Sequence, residues 1–176
     1  MSALENLVVQ KYIAKPHLID GFKYDLRVYV LLLGVNPLRV YVYKDGLARF
    51  ATEKYMKPNE KNFDKLFMHL TNYAINKQNE EFQENTNIEA VDVGHKRSMK
   101  SVFEVVEEEE GPEAVIKLKQ GIHDIIIKSL CLATPHIKHL IKSCQPDELE
   151  NQICYQILGF DILVDNKLVP SLLEIN

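Results

Sequence analysis

The glycines of this sequence form neither of the common phosphate-binding loops. Seven glycines occur among 176 residues, and they include no GxxxxGK(S/T) segment and no GxGxxG segment. The HRD and DFG motifs of protein kinases are missing as well. A nucleotide would therefore have to be held by a sheet and by the residues at its edge.

The cysteines are few and poorly spaced for cross-linking. Cys131, Cys144 and Cys154 form an odd set without a CxxC pair, so neither a disulfide framework nor a standard zinc module is indicated. Reduced thiols are typical of the cytoplasm. A zinc site built from Cys131, His136, His139 and Cys144 stays open as an alternative, although such residues beside an Ile and Leu stripe more often pack against a core.

Long hydrophobic runs and an excess of basic residues are also missing. The longest apolar stretch, Tyr29 to Val35, is far shorter than the roughly 20 residues that a bilayer requires, and the first residues lack the regions of a signal peptide. The net charge of −4 argues against binding nucleic acid. With 46% apolar and 26% charged residues, the sequence predicts one soluble domain without membrane contact.

Strand-like residues dominate the first third of the chain. Residues 7–13 and 26–33 are rich in aliphatic, aromatic and β-branched side chains, and we predict that both belong to a sheet core. Asn36-Pro37 ends the second run. Asp45-Gly46 then predicts a tight hairpin between residues 38–43 and 47–52.

Helical periodicity follows, separated by a polar loop. Apolar spacing predicts a short helix over 62–70, and Ser98 is predicted to cap a helix that ends at Gly111-Pro112. Residues 113–132 predict a longer helix, with 137–141 continuing after Pro135. Residues 76–96 are polar and predict an exposed loop. The fold class is therefore α+β.

The C-terminal sequence LGFDILVDNKLVPSLLEIN predicts a hairpin with one polar face. A two-residue turn at Asn166-Lys167 would pair Asp161 with Leu172 and place three oxygen-bearing side chains on the same face. These side chains are Asp161, Glu174 and Asn176. Carboxylate and amide oxygens suit Mg²⁺ beside a nucleotide. The spacing alone is equally compatible with a solvent-facing edge that happens to carry acidic residues.

Charged side chains alternate with buried ones in the segment GFKYDLRVYV. Lys23, Asp25 and Arg27 share one face of a predicted strand, where they could bind phosphate and ribose or form an ordinary salt-bridged edge. Arg49 has a similar ambiguity. It could clamp a carboxylate with its planar fork or cover the sheet.

Six segments carry a family resemblance. VVQKYI, IDGFKYDLRVYVLL, NPLRVYVYKDGLARFATEKY, MHLTNYAINK, LGFDIL and LLEIN follow one another in the order found in tubulin-tyrosine-ligase-like enzymes, and the chain resembles that family over almost its whole length. The resemblance implies an ATP-grasp fold, in which ATP lies between two α+β subdomains. Residues 1–176 would then be the C-terminal part of the catalytic core, without its N-terminal part and without the segment after the metal-binding strand.

The resemblance also implies roles for individual positions. ATP would be bound by Gln10, Lys11, Tyr12, Ile13, Lys23, Tyr24, Asp25, Thr71 and Asn72. Magnesium would be bound by Asp161, Glu174 and Asn176, and the incoming amino acid by Arg49, Tyr73, Ala74 and Lys96. Arg27 and Arg49 are the candidate catalytic side chains. Ala74 and Ser171 depart from the family's usual Ser and Trp.

Within the family, HLTNYAIN and NPLRVYVYKDGLARFAT resemble tubulin polyglutamylases. The resemblance implies an enzyme that uses ATP and Mg²⁺ to activate an acceptor glutamate as an acyl phosphate, which free L-glutamate then attacks. Tubulin tails or microtubules would be the partners of a monomeric protein in the cytoplasm and cytoskeleton, including the cilium or basal body. The alternatives are a noncatalytic module that binds nucleotide or acidic peptides, and a relative that adds glycine or tyrosine.

Overall fold

An antiparallel sheet with two long helices on one face forms the centre of the molecule. The computed structural model describes residues 8–83, 94–147 and 154–176. Its strands are β1 (Leu18–Ile19), β2 (Phe22–Val35), β3 (Leu38–Phe50), β4 (Lys96–Ser98), β5 (Gln156–Val164) and β6 (Pro170–Ile175). Its helices are α1 (Leu66–His69), α2 (Tyr73–Asn76), α3 (Met99–Glu110) and α4 (Pro112–Cys144). The predicted α+β class is confirmed.

The sheet follows the order β4-β3-β2-β5-β6, and β1 pairs with β2. Alternation along β2 directs Leu26, Val28 and Val30 to the side covered by α3 and α4, where all three are fully buried. Their neighbours from the helices are Val102, Val106, Leu118 and Ile126. Burying each such side chain is worth about 1.5–3 kcal/mol, so this packing fixes which face of β2 carries the charged side chains.

The predicted hairpin at Asp45-Gly46 is wrong, because β3 runs without a turn from Leu38 to Phe50. The connection between β2 and β3 is the two-residue Asn36-Pro37 loop, where the sequence predicts the end of the second strand-like run. Asp45 instead forms part of an irregularity in the ladder, and its Oδ1 accepts hydrogen bonds from the amides of Gly46 at 2.8 Å and Lys100 at 3.1 Å. An Asp-Gly pair can therefore mark a β-bulge as well as a turn.

Residues 8–13 do not belong to the sheet core, contrary to the prediction for 7–13. This segment pairs with none of the strands in the described residues, and Val8 and Val9 are 85% and 94% exposed. Residue 7 lies outside the described residues. Residues 10–13 instead line a cavity wall, where apolar residues are also suitable.

The predicted helix over 62–70 is reduced to the four residues of α1. Before it, Asn62 Oδ1 accepts from the Asn59 amide at 2.8 Å, and Asn59 Oδ1 accepts from the Lys61 amide at 2.9 Å. Such side-chain hydrogen bonds to the backbone compete with helix formation. Phe63, one of the apolar residues in the predicted helix, is 69% exposed.

The later helices agree better with the sequence. Ser98 caps α3 as predicted, its Oγ accepting from the Ser101 amide at 3.3 Å. The helix α4 is continuous through Pro135 instead of being interrupted there. Of the predicted 76–96 loop, residues 84–93 lie outside the described residues. None of the helices in the described part of the chain combines the length and apolar character needed to cross a bilayer.

The alternative zinc site on the helices is excluded. Cys131 and Cys144 both lie in α4, where a rise of 1.5 Å per residue separates them by about 20 Å. One ion cannot bind both. Among residues 8–83, 94–147 and 154–176, no group of three or more His, Cys, Asp or Glu residues is arranged to hold a metal.

The terminal hairpin forms, but its predicted register is wrong. Asp165 Oδ1 accepts from the amides of Lys167 and Val169, both at 2.9 Å, which makes the turn longer than two residues. A further irregularity between Asp161 and Ile162 shifts the ladder again. As a result Asp161 pairs with Glu174 and not with Leu172, so the two predicted metal-binding carboxylates are cross-strand neighbours.

Candidate functional site

Two cavities adjoin on the side of the chain that carries the predicted site residues. The larger has a volume of about 970 Å³ and the smaller about 190 Å³. Thr71 lines both. Predicted nucleotide-binding residues in the wall of the larger cavity are Gln10, Lys11, Tyr12, Ile13, Lys23, Thr71 and Asn72. Predicted amino-acid-binding and catalytic residues in the wall of the smaller cavity are Arg27, Arg49, Tyr73 and Lys96.

Lys23 is the buried cation of the larger cavity. It is 8% exposed, its Nζ donates to the carbonyl oxygen of His69 at 2.7 Å, and the same nitrogen lies 4.8 Å from the centre of the Tyr12 ring. Burial lowers the pKa of the Lys23 ammonium to about 8, while the charge of Asp25 acts in the opposite direction. The cavity therefore holds a poorly solvated positive charge suited to an anionic ligand.

Two residues predicted to bind nucleotide line neither cavity. Tyr24 is 1% exposed and points into the core, where its hydroxyl lies 2.9 Å from His17 Nδ1 and its ring contacts Phe50. Asp25 is fully buried and engaged by Arg49. Sequence alternation places Tyr24 on the face opposite Lys23, as expected for a strand, so direct contact between its side chain and a ligand in the larger cavity is excluded.

A buried ion network lies between the cavities and β6. Arg27 binds the Asp161 carboxylate with two nitrogens, and Arg49 does the same to Asp25. Arg49 Nη2 also lies 2.7 Å from Asp161 Oδ2. The network joins three strands, because Arg27 and Asp25 are on β2, Arg49 on β3 and Asp161 on β5. Every charge in it has a partner, as burial demands.

The two carboxyl groups of this network have opposite pKa shifts. Burial raises the pKa of Asp25 despite the hydrogen bonds and charge of Arg49. Burial would also raise the pKa of Asp161, but hydrogen bonds from Arg27 and Arg49 outweigh it and hold that pKa below its ordinary value. Asp161 is therefore the carboxylate that stays ionised most firmly.

The resemblance implies that the planar fork of Arg49 binds the incoming amino acid. In the structure this fork is already engaged by carboxylates of the protein. Its Nε and Nη2 atoms contact Asp25, and Nη2 also contacts Asp161. Lys96 is different, because it is exposed, and within the described residues it forms no ion pair. Its Nζ lies 5.9 Å from the centre of the Tyr73 ring at the smaller cavity. Ala74 is exposed and lines neither cavity.

The three predicted metal ligands lie together at the β5–β6 edge. Asp161 and Glu174 are cross-strand partners, and Asn176 Nδ2 donates to Glu174 Oε1 at 3.1 Å. Two carboxylates and an amide oxygen are suitable donors for Mg²⁺. The arginines supply three hydrogen bonds to Asp161, while a carboxylate offers about four acceptor positions. The chemistry of the donor set therefore fits a hard cation.

The sequence did not identify three residues that shape these cavities. His69 is buried and lines the larger one, and Phe82 and His95 stack with ring centres 5.7 Å apart in the wall of the smaller one. His69 lies beside Thr71 in the HLTNY segment. The available signal was a histidine between the apolar residues Met68 and Leu70.

Comparison with known proteins points to one family. The tubulin-tyrosine ligase family matches residues 1–176. A protein named probable beta-tubulin polyglutamylase from Tetrahymena thermophila is 51% identical over 98% of this chain. The mouse (Mus musculus) proteins named tubulin polyglutamylase TTLL6 and TTLL7 are 49% and 45% identical, each over 98% of the chain. The chain spans 14%, 20% and 18% of the length of these three relatives, respectively.

The contact between Gly159 and Arg27 allows a test of the ion network. A β-carbon at Gly159 would lie 2.8 Å from Arg27 Cδ and 3.2 Å from Nε. Gly159→Ala should therefore push Arg27 away from Asp161 and lower the free energy of unfolding by about 2 kcal/mol, since a buried pair is weakened. Chemical denaturation measures this change.

The control is the same substitution in an Arg27→Ala background. There the methyl group has no guanidinium chain to displace, so the additional cost of Gly159→Ala should fall to within about 0.5 kcal/mol of zero. An equal cost in both backgrounds would mean that Gly159 acts through the backbone and not through Arg27.

Proposed function

The chain belongs to the tubulin-tyrosine ligase family, and we propose that it forms part of an ATP-grasp catalytic core that ligates glutamate to glutamate side chains of tubulin. The observation that carries this proposal is the pair of cavities that meet at Thr71, one with a buried Lys23 and the other with three cationic side chains. Relatives named tubulin polyglutamylases, 45% to 51% identical to the chain, support the choice of amino acid and acceptor.

The larger cavity is the proposed site of ATP. Its 970 Å³ volume is at the upper end of the usual range for small-molecule sites. Tyr12 and Ile13 supply apolar surface for a base, and Lys23 supplies positive charge for phosphate. Thr71 and Asn72 add polar groups where this cavity approaches the smaller one.

The smaller cavity is the proposed site of free glutamate. Glutamate carries two carboxylates, and Arg27, Arg49 and Lys96 surround the cavity with positive charge. Because the forks of both arginines are engaged by Asp25 and Asp161, their charges are largely neutralised within the network. Lys96 is the cation best able to contact a ligand carboxylate directly.

The reaction requires little covalent chemistry from the protein. The proposed sequence is transfer of the γ-phosphate to the acceptor carboxylate, followed by attack of the glutamate amine on the acyl phosphate and release of phosphate. Lys23 holds phosphate oxygens, and the smaller cavity orients the amine. Asp161, Glu174 and Asn176 would hold Mg²⁺, which supplies charge neutralisation at phosphate oxygens when bound.

The proposed acceptor is the acidic C-terminal tail of tubulin. Acceptance of such a tail would place the protein on microtubules in the cytoplasm, including those of cilia and basal bodies. The negative net charge of the chain means that attraction to the tail must come from local cations such as those around the smaller cavity.

The amino acid specificity is tested by competition. Full-length protein, tubulin and ATP are incubated with equal concentrations of labelled glutamate, glycine or tyrosine, and incorporation into tubulin is counted. We expect ATP-dependent incorporation of glutamate, because the smaller cavity is rich in cations. Preferential incorporation of glycine or tyrosine would contradict the assignment, and ATP binding without any incorporation would favour a noncatalytic module.

Lys96 tests the glutamate site without disturbing the fold. Lys96→Met should raise the glutamate KM by about 10-fold to 100-fold, because a charge-assisted hydrogen bond is lost, while the KM for ATP and the melting temperature stay close to wild type. Lys100→Met is the matched control, since Lys100 is also exposed and lies outside the cavity. A similar KM change in both variants would remove Lys96 from the site.

Glu174 tests the metal site. Glu174→Gln keeps the side-chain size but removes the charge, so ligation should fall by at least 100-fold while the melting temperature changes little, because Glu174 is exposed. Glu113→Gln, at an exposed helix position, is the control. Asp161→Asn is a poorer probe, since it also deprives two partly buried arginines of a partner. Ligation by Glu174→Gln within a fewfold of wild type would exclude this edge as the magnesium site.

A further inference from the structure

His69 is a buried residue to which the proposed chemistry gives no role. It is 8% exposed, ends α1 and lines the larger cavity. Both ring nitrogens have a partner: Nε2 lies 2.9 Å from the carbonyl oxygen of Asn62, and Nδ1 lies 2.7 Å from the hydroxyl oxygen of Tyr12.

The partner of Nε2 determines the tautomer of the ring. A carbonyl oxygen only accepts hydrogen bonds, so Nε2 of His69 must carry a hydrogen and donate it to Asn62. In the neutral imidazole Nδ1 is then an acceptor. The Tyr12 hydroxyl therefore donates to Nδ1, and the direction of this hydrogen bond is fixed from within the core.

The anchored tyrosine belongs to a segment outside the sheet, which is also held by Gln10 Nε2 donating to the Leu173 carbonyl oxygen at 3.3 Å and by the Tyr55 hydroxyl donating to the Ala14 carbonyl oxygen at 3.1 Å. Tyr12 is 43% exposed and lies in residues 8–13, which pair with no strand of the described part of the chain. Its ring meets the His69 ring edge-on, with centres 5.5 Å apart. The hydrogen bond to Nδ1, together with a side-chain hydrogen bond to Tyr55, holds the Tyr12 ring in the cavity wall.

The backbone of His69 holds the opposite group. Its carbonyl oxygen accepts from Lys23 Nζ at 2.7 Å, and this Nζ lies 4.8 Å from the centre of the Tyr12 ring. His69 therefore contacts both the aromatic ring of the cavity wall, Tyr12, and the buried cation, Lys23. A histidine that served only to pack the core would not need to contact either Tyr12 or Lys23, both of which face the cavity.

We propose that His69 is a positioning residue of the nucleotide cavity: its Nδ1 fixes Tyr12 against the bound base or phosphates while its carbonyl oxygen fixes Lys23. The inference rests on the proposed placement of ATP in the larger cavity. It assigns His69 no contact with the reacting atoms.

Two substitutions of His69 test the contributions of its two ring nitrogens separately. In His69→Asn the amide oxygen takes approximately the place of Nδ1 and can still accept from Tyr12. In His69→Gln the amide nitrogen takes approximately the place of Nε2 and can still donate to Asn62. The dissociation constant of ATP with Mg²⁺ is measured by titration calorimetry on full-length protein, beside the melting temperature and the glutamate KM.

We expect His69→Gln to raise the ATP dissociation constant about fivefold or more, and His69→Asn to leave it within about twofold of wild type, although each variant loses one hydrogen bond. A structural role alone would make affinity follow the loss of melting temperature in both variants. The glutamate KM should stay unchanged.

Tyr12→Phe keeps the test decisive if a His69 variant fails to fold, because it removes one hydroxyl from a half-exposed ring. It should raise the ATP dissociation constant as much as His69→Gln, and the double variant should be no worse than either. Unchanged ATP affinity in Tyr12→Phe, or additive losses, would overturn the inference alone. Absence of ATP binding by the wild-type protein would overturn the nucleotide site and the inference together.

Discussion

A buried ion network in the middle of the sheet is the constraint on which the site depends. Arg27 and Arg49 hold Asp161, and Arg49 also holds Asp25, so that three strands are joined by charges that must be satisfied together. Removing any one member would leave an opposite charge buried without its partner, which costs several kcal/mol. The network therefore fixes the relative positions of β2, β3 and β5 where the cavities lie.

The same network separates a positively charged edge of the sheet from a negatively charged edge. Toward β4 the row across the strands continues from Asp25 through Arg49 to Lys96, and toward β6 a second row continues from Arg27 through Asp161 to Glu174. One edge is cationic and suits carboxylates, whereas the other is anionic and suits a metal ion. Because the charges between them neutralise one another, the proposed glutamate and magnesium sites can lie a few strands apart without a large net charge.

Local sequence patterns predicted which face of a strand a side chain lies on more reliably than which residues pair across two strands. The alternation of Lys23, Asp25 and Arg27 with buried residues gave the correct face of β2, and the two carboxylates of the terminal hairpin lie on one edge as expected. Their register could not be read from the same alternation. It depends on Asp165, whose hydrogen bonds lengthen the turn, and on an irregularity that brings Asp161 opposite Glu174 instead of Leu172.

Residues 8–13 illustrate why the remaining features required the folded chain. Their composition is that of a strand, yet strand propensity measures only how well a side chain fits a half-buried surface, and residues 10–13 line a cavity wall while Val8 and Val9 are exposed. What distinguishes the two cases is the partner of Tyr12, which is His69, 57 positions later in the chain. A contact of that kind leaves no periodic signal, because it joins two residues whose neighbours follow unrelated patterns. Residues that position a ligand through another residue are therefore the ones that sequence patterns are least able to identify.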